Sequence, residues 1–166
     1  MIEIVPLAPE RDGAVEELLD AAFGPERRAR TAYKVRGGGA PLRALGFAAL
    51  DGDRLVGSIQ CWPVVLTDDA GTGWPLVMVG PVAVAPDMQQ SGIGRRLTEA
   101  ALAAATREGL GEALMLIGDP EYYERFFGFT AARTCRWRLP GPVEPRRLLA
   151  RGCAVPEVAG TLGPAG

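Results

Sequence analysis

The chain contains no histidine among its 166 residues. This absence excludes the Ser-His-Asp and Cys-His mechanisms, in which an imidazole activates the nucleophile, and it removes histidine as a general base. Any acid–base chemistry must therefore use tyrosine, aspartate, glutamate, cysteine or water.

Cysteine is scarce as well. Cys61, Cys135 and Cys153 are separated by long, unequal spacings. Without histidine, this pattern supports neither a zinc site nor a framework of paired disulfides. We therefore predict a protein without a metal that works in a reducing cytoplasm. The strand-like surroundings of Cys61 and Cys135 favour packing in the core over an acyl-cysteine intermediate.

The sequence has no excess of basic charge and no long apolar run. Its 18 basic and 20 acidic residues give a net charge of −2, so we predict that nucleic acid is not a partner. No apolar run is long enough to cross a membrane, and the first residues lack the pattern of a secretion signal, so we expect neither secretion nor membrane spanning. The length and composition suit one domain over residues 1–151. Residues 152–166 are rich in Gly, Ala and Pro, which predicts a flexible C-terminal tail.

The first half of the chain reads as a strand, two helices and a hairpin. Residues 2–7 alternate as a strand does, and Asp12 begins a helix with apolar residues at helical spacing. Residues 26–36 predict a second, exposed helix. Asp51-Gly52-Asp53 joins two apolar runs and predicts a hairpin turn.

The second half contains a strand, a helix and another strand. Residues 76–84 predict a buried strand, and Gly80-Pro81 predicts a bulge within it, because proline cannot donate to the ladder. The helix that follows begins near Ile93, and residues 113–117 form the next strand. Such a βαβ unit predicts parallel strands. A short helix then follows Asp119-Pro120, and residues 134–139 and 147–151 read as further strands.

A glycine-rich turn connects the strand and the helix of this unit. Its residues 89–94 read Q-Q-S-G-I-G, and their backbone N–H groups can converge on an anion at the N-terminus of the helix. The turn does not match a dinucleotide fingerprint, because Leu97 stands where the third glycine belongs. It also lacks the Lys-Ser or Lys-Thr of a P-loop. A tight connection without any ligand is the alternative.

The turn reads Q-x-x-G-x-G after V-A-V-A-P, and it resembles the acyl-CoA-binding motif of the GCN5-related N-acetyltransferases (GNAT). The element order of residues 2–139 is similar to that of the family. G-D-P-x-Y-Y at residues 118–123, followed by Gly128-Phe129, resembles the YhbS-type subgroup. This resemblance implies an α/β fold with a mixed, mostly antiparallel sheet that splays between strands 4 and 5 and is flanked by helices.

The resemblance also implies acetyl-CoA as co-substrate and a set of residues that bind it. In the family, the turn wraps the pyrophosphate of CoA, and the pantetheine arm inserts between the splayed strands. Gln89 is expected to brace the turn. The implied binding residues are Val82, Ala83, Val84, Gln89, Gln90, Ser91, Gly92, Ile93, Gly94, Arg95 and Arg96.

For catalysis, the resemblance points to the helix after Asp119. A family tyrosine in this helix protonates the departing thiolate, and Tyr123 is our first candidate, with Tyr122 the second. The usual position of that tyrosine is occupied here by Glu124, although one extra residue would restore the register. The alternative is that both tyrosines simply pack or line the pantetheine channel. Asp119 is a candidate general base, with a helix N-cap or a water relay as the alternatives.

We therefore predict an acetyl-CoA-dependent N-acetyltransferase that passes the acetyl group directly to a primary amine of a small molecule or peptide. Two alternatives remain open, a non-catalytic acyl-CoA-binding or regulatory module and a nucleotide-binding module that shares only the turn. The sequence does not identify the acceptor. An edge strand near the C-terminus could support a homodimer.

Overall fold

The computed structural model describes residues 1–165. Within them, eight strands form one sheet with the order β1-β2-β3-β4-β5-β7, and β8 pairs with β3 and with β6. The strands are β1 (Ile2–Pro6), β2 (Phe47–Asp51), β3 (Arg54–Asp68), β4 (Gly73–Val84), β5 (Leu114–Ile117), β6 (Trp137–Arg138), β7 (Leu148–Arg151) and β8 (Gly160–Pro164). The α-helices are α1 (Asp12–Phe23), α2 (Thr31–Arg36), α3 (Ile93–Arg107) and α4 (Pro120–Phe127).

Most strand pairs are antiparallel, but β4 and β5 run parallel on either side of the α3 crossover. This arrangement confirms the mixed, mostly antiparallel sheet predicted from the sequence. None of the described helices combines the length and the apolar character needed to span a membrane.

Helix α3 packs unusually close to the sheet at Gly57 of β3. A Cβ on Gly57 would lie 2.9 Å from Cγ2 of Ile93 and 3.0 Å from Cδ1 of Leu97. Both side chains are fully buried. The close approach fixes the N-terminus of α3 beside the end of β4.

The predicted interruption of β4 is a β-bulge that comes with a separation of strands. Ile59 pairs with Val82 and Cys61 pairs with Val79, so two residues of β4 lie opposite one residue of β3. On its other side, β4 pairs with β5 only at Val77 and Met78. Beyond Met78 the two parallel strands diverge, which confirms the predicted splay.

The prediction of a flexible C-terminal tail is wrong for residues 160–164. Gly160–Pro164 forms β8, which pairs with Val64–Asp68 of β3. Leu162 is 1% exposed and belongs to the second of two core clusters. The strand could not be predicted from the sequence, because its one large apolar residue is surrounded by glycine and proline, which are uncommon in strands. Residue 166 lies outside the described residues.

The segment 26–36 also differs from the single exposed helix that was predicted. It forms a 3-10 turn at Arg27–Ala29 and then the separate helix α2. Arg27 is buried, and its guanidinium donates to Asp20 at 2.9 Å, to the Tyr33 hydroxyl at 2.7 Å and to Glu16. These bonds hold α2 against α1. Farther along, only Trp137–Arg138 of the predicted strand 134–139 pairs.

Candidate active site

The glycine loop, residues 89–94, connects β4 to α3 in a conformation suited to an anion. Gln90 has φ of 64°, the only positive φ of a non-glycine residue in the described chain, and Gly92 has φ of 83°. Alternation of left-handed residues with ordinary ones turns successive N–H groups toward one side, where the N-terminus of α3 adds its dipole. Gln89 donates to the Val84 carbonyl at 3.4 Å, as a bracing residue would.

A cavity of about 500 Å³ lies beside this loop, and we call it the loop cavity. It is bounded by the end of β4, the start of α3 and one face of α4. Most of the residues predicted to bind CoA surround it. The loop cavity is lined by Ala22, Phe23, Val82, Val84, Gln89, Gln90, Gly92, Gly94, Arg95, Thr98, Tyr122, Tyr123 and Phe126.

Four of the predicted binding residues do not line this cavity. The side chains of Ala83 and Ile93 are buried in the core. Ser91 donates to the Met88 carbonyl, and Arg96 donates to the Ile2 carbonyl at 3.1 Å. These four residues could contribute backbone groups or loop shape, whereas Arg95 presents its side chain to the cavity and lies 4.3 Å from the Phe126 ring.

A second cavity of about 270 Å³ occupies the space between the splayed strands, and we call it the splay cavity. β4 contributes Met78 to Val82, and β5 contributes Leu116 and Ile117. Side chains from α1, α2 and α4 close it. The lining residues are Phe23, Arg30, Ala32, Tyr33, Arg36, Met78, Val79, Gly80, Pro81, Val82, Leu116, Ile117, Tyr123 and Arg147.

Tyr123 lines both cavities, together with Phe23 and Val82. Its ring lies edge-on to the rings of Tyr122 and Phe129, with centroids 5.0 and 6.2 Å away. Burial raises the pKa of Tyr123 to about 12, so the phenol keeps its proton at neutral pH. A proton donor therefore lies where the two cavities meet.

Tyr122 and Asp119 are placed less favourably for catalysis. Tyr122 lines only the loop cavity, and burial also raises its pKa. Asp119 is exposed and lines neither cavity. Its carboxylate accepts a bond from the Glu121 backbone N–H at 3.1 Å, which makes it the N-cap of α4. Hydrogen bonding to Glu121 lowers the pKa of Asp119, so this carboxylate is a weak base.

Sequence reasoning missed several residues of the site. Arg36 and Arg147 line the splay cavity, but each lies far along the chain from the glycine loop. Gly118 supports Tyr123, because a Cβ there would lie 2.5 Å from Cε2 of the tyrosine ring. The G-D-P-x-Y-Y motif contained this glycine, but the motif alone does not show that the tyrosine folds back onto it.

The described cysteines are free and lie outside both cavities. Cys61 is buried, and burial raises the pKa of its thiol to about 12, which makes it a poor nucleophile. Cys135 and Cys153 are exposed, so the predicted core packing of Cys135 is wrong. Among residues 1–165, no group of three or more acidic, cysteine or histidine residues is placed to hold a metal ion.

Comparison with known proteins identifies the family of this chain. The model of the Acetyltransferase (GNAT) family matches residues 13–129. The chain therefore belongs to the GNAT family of acetyltransferases, and the family resemblance inferred from its sequence is confirmed. A comparison with curated proteins found no significant match.

Solved structures with the same fold span nearly the whole chain. The GNAT family N-acetyltransferase YhbS from Escherichia coli, in complex with CoA, is 24% identical with a TM-score of 0.75, over 99% of this chain and 89% of its own. A GNAT acetyltransferase from Brucella melitensis, in complex with acetyl-CoA, is 26% identical with a TM-score of 0.62, over 93% and 97%. The ribosomal-protein-S18-alanine N-acetyltransferase from E. coli is 20% identical with a TM-score of 0.55, over 100% and 97%.

Proposed function

We propose that this N-acetyltransferase uses acetyl-CoA and transfers the acetyl group directly to a primary amine bound in the splay cavity. The observation that carries the proposal is the position of Tyr123 and Val82, which line both cavities. An elongated ligand with its pyrophosphate on the glycine loop would reach the gap between β4 and β5 at these residues. The Brucella relative, which was solved with acetyl-CoA, supports this choice of donor.

The anionic end of the donor would bind to the glycine loop. Gln90, Gly92 and Gly94 offer backbone N–H groups, and Arg95 adds a positive side chain. A Cβ on Gly94 would make ordinary contact with Cγ2 of Val84 at 3.7 Å, so the loop lies against the end of β4. The pantetheine arm would run through the loop cavity toward Tyr123.

The reaction then needs positioning and one proton donor. The acceptor nitrogen attacks the thioester carbonyl carbon, and the C–S bond breaks as the new C–N bond forms. Tyr123 gives its phenolic proton to the departing thiolate and regains a proton from solvent. Backbone N–H groups near the bulge of β4 would polarise the carbonyl oxygen.

The proton released by the attacking amine would pass to water. No aspartate or glutamate is among the described residues that line the splay cavity, and Asp119 is engaged as the cap of α4. We therefore assign no side chain as general base. The free cysteines suit a reducing compartment, and we include a cytoplasmic location in this proposal.

Two measurements test the proposal. Calorimetric titration should show saturable binding of acetyl-CoA, and a thiol-release assay over a broad amine panel should show turnover with at least one amine. No binding at millimolar acetyl-CoA, or tighter binding of NAD or ATP, would overturn it. Binding without thiol release across the whole panel would point instead to a non-catalytic acyl-CoA module.

Two adjacent arginines provide a matched pair of variants. Arg95 lines the loop cavity, whereas Arg96 bonds to the Ile2 carbonyl. We expect Arg95→Met to weaken acetyl-CoA binding and Arg96→Met to leave it close to the wild-type value. Equal losses in the two variants would contradict the placement of the pyrophosphate beside Arg95.

A further inference from the structure

The splay cavity is strongly positive, although the chain as a whole is mildly acidic. Arg30, Arg36 and Arg147 line it, and no aspartate or glutamate is among its described lining residues. None of the three arginines forms an ion pair with a described residue. An uncompensated cluster of this kind in a small, half-buried space is costly unless a ligand supplies negative charge.

Nearby carboxylates are already paired with other arginines. Glu16 and Asp20 bind Arg27, while Glu121 and Glu144 bind Arg146 at 3.3 and 3.6 Å. No carboxylate among the described residues forms an ion pair with an arginine of the splay cavity, although Glu16 and Asp119 attract Arg36 and Arg147 more weakly from a longer distance.

Arg36 has the closest aromatic contacts of the three arginines. Its guanidinium carbon lies 4.0 Å from the ring centroid of Tyr33 and 3.8 Å from that of Trp62. Its Nη1 atom is buried without a hydrogen-bond partner among the described residues. Both rings lie close to the guanidinium and constrain its position. A planar guanidinium that has an unpaired N–H group matches a carboxylate.

Arg30 and Arg147 are placed more loosely around the same space. Arg30 is exposed, lies 5.1 Å from the Phe23 ring centroid and donates a long bond of 3.5 Å to the Phe23 carbonyl. Arg147 is half-buried beside Tyr123, and its charge opposes the rise of the Tyr123 pKa. Arg30 and Arg147 contribute positive charge to the cavity, whereas Arg36 also offers a guanidinium in a constrained position.

The three arginines do not belong to the pyrophosphate site. None of them lines the loop cavity, where Arg95 is the arginine present. They lie on the far side of Tyr123, where the acceptor would bind. The remaining walls of the splay cavity are mostly apolar, and its volume of about 270 Å³ is just below the range of about 300–1,000 Å³ typical of drug-sized ligands.

We propose that the acceptor is a small apolar amino acid, whose carboxylate binds the guanidinium of Arg36 while its amine faces the thioester. This inference rests on the proposed function and specifies its substrate class. Three arginines repel polyamines and other polycations, which excludes them as preferred acceptors. The same positive field lowers the pKa of the acceptor ammonium, which supplies neutral amine where no general base is present.

The test compares matched acceptors in the thiol-release assay with acetyl-CoA. Leucine, methionine and phenylalanine are each measured beside the corresponding amide, with spermidine and phosphoethanolamine as further arms. We expect kcat/KM for each acid to exceed that for its amide by about 10- to 100-fold, the size of one charged hydrogen bond. Equal use of the amides, or preference for spermidine or phosphoethanolamine, would overturn the carboxylate assignment.

Variants then locate the carboxylate. Arg36→Met should remove the preference for acid over amide and leave the acetyl-CoA dissociation constant unchanged, whereas Arg36→Lys should restore it only in part. Arg107→Met, at the far end of α3, is the control and should retain the wild-type preference. Retention of the full preference by Arg36→Met would overturn the role of Arg36.

A measurement on the unmodified protein keeps the test independent of variant folding. N-acetyl-leucine should inhibit competitively with the acceptor and more strongly than N-acetyl-leucinamide; equal inhibition would overturn the proposal. Failure of this inference is distinct from failure of the proposed function. If the protein binds acetyl-CoA and acetylates only amines that lack a carboxylate, the proposed acetyltransferase activity stands and only the amino-acid acceptor is refuted.

Discussion

The ring of Tyr123 lies directly against the backbone of Gly118, so that a Cβ on Gly118 would stand 2.5 Å from Cε2 and 2.9 Å from Cδ2 of that ring. Gly118 follows the last residue of β5, and Asp119 caps the helix that carries Tyr123. The end of the splayed strand and the proposed proton donor are thus coupled through one glycine.

Gly118→Ala is expected to displace the Tyr123 ring. The added methyl overlaps ring atoms instead of a flexible side-chain end, so the ring must move away from the thioester position. We expect kcat to fall by about 10-fold or more, with a loss of about 1–3 kcal/mol in the free energy of unfolding. Steady-state kinetics and chemical denaturation measure the two effects.

A double-mutant cycle checks the cause of that loss. In a Tyr123→Ala background the ring is absent, so Gly118→Ala should cause little further loss of kcat. Gly13→Ala, in α1 with no atom within 4 Å of the added methyl, is the control and should leave kcat unchanged. Additive losses in the cycle would show that Gly118 acts independently of Tyr123.

Tyr123→Phe tests the proton donor itself. The variant keeps the ring that separates the two cavities but loses the hydroxyl, so acetyl-CoA affinity should be preserved. General acid catalysis is worth about 10²-fold or more in rate, and we expect kcat to fall by that order. Tyr122→Phe, which alters a tyrosine of the loop cavity alone, should change kcat far less. An unchanged kcat in Tyr123→Phe would remove this residue from the mechanism.

The elements around the glycine loop, where we propose that acetyl-CoA binds, could be predicted from the sequence because they are local. The glycine loop, the Gly80-Pro81 bulge and the βαβ unit lie within one stretch of chain, and each has its own pattern. The splay cavity could not be predicted in this way. The rings of Tyr33 on α2 and Trp62 on β3 hold Arg36 in position. No sequence pattern predicts that these residues meet, because they lie on separate elements.

The tyrosine titrations give a test of the environment around Tyr123. Burial raises the pKa of Tyr123 to about 12, above the ordinary value of about 10. A difference titration of phenolate absorbance between wild type and Tyr123→Phe should therefore have its midpoint near pH 12. Because the protein contains only three tyrosines, the absorbance change from Tyr123 is a large part of the total signal.

The sign of the effect on stability follows from the same pKa. Because the folded-state pKa lies above the unfolded value, the stabilising contribution of Tyr123 is complete below pH of about 10 and is lost as the pH rises toward 12. Wild type should lose stability over this window faster than Tyr123→Phe. A Tyr123 midpoint at or below pH 10 would contradict the buried position.

Gly92 and Gly109 offer a comparison of two glycines in similar conformations at opposite ends of α3. Their φ angles are 83° and 74°, and a Cβ on either would meet no atom within 4 Å. Alanine at each position should therefore cost roughly 1–2 kcal/mol of stability through the backbone alone. Only Gly92→Ala should weaken acetyl-CoA binding, by about 10-fold or more, because only it redirects the N–H groups of the loop. Calorimetry of the two variants side by side measures the difference, and equal affinities would place the pyrophosphate elsewhere.

Leu162 tests whether the C-terminal segment is an integral part of the sheet. Leu162 is 1% exposed in β8, where it packs in the second core cluster, while its neighbour Thr161 is exposed on the same strand. Leu162→Ala should lower the free energy of unfolding by about 2–5 kcal/mol, because it removes buried methyl groups and leaves a cavity. Thr161→Ser, the control on the opposite face, keeps the hydroxyl that accepts from Arg138 at 3.3 Å and should cost less than about 0.5 kcal/mol. Urea unfolding measures both values.

A loose tail would make the two variants equally neutral, whereas a paired strand requires the large difference, since only a fixed register buries Leu162 and exposes Thr161.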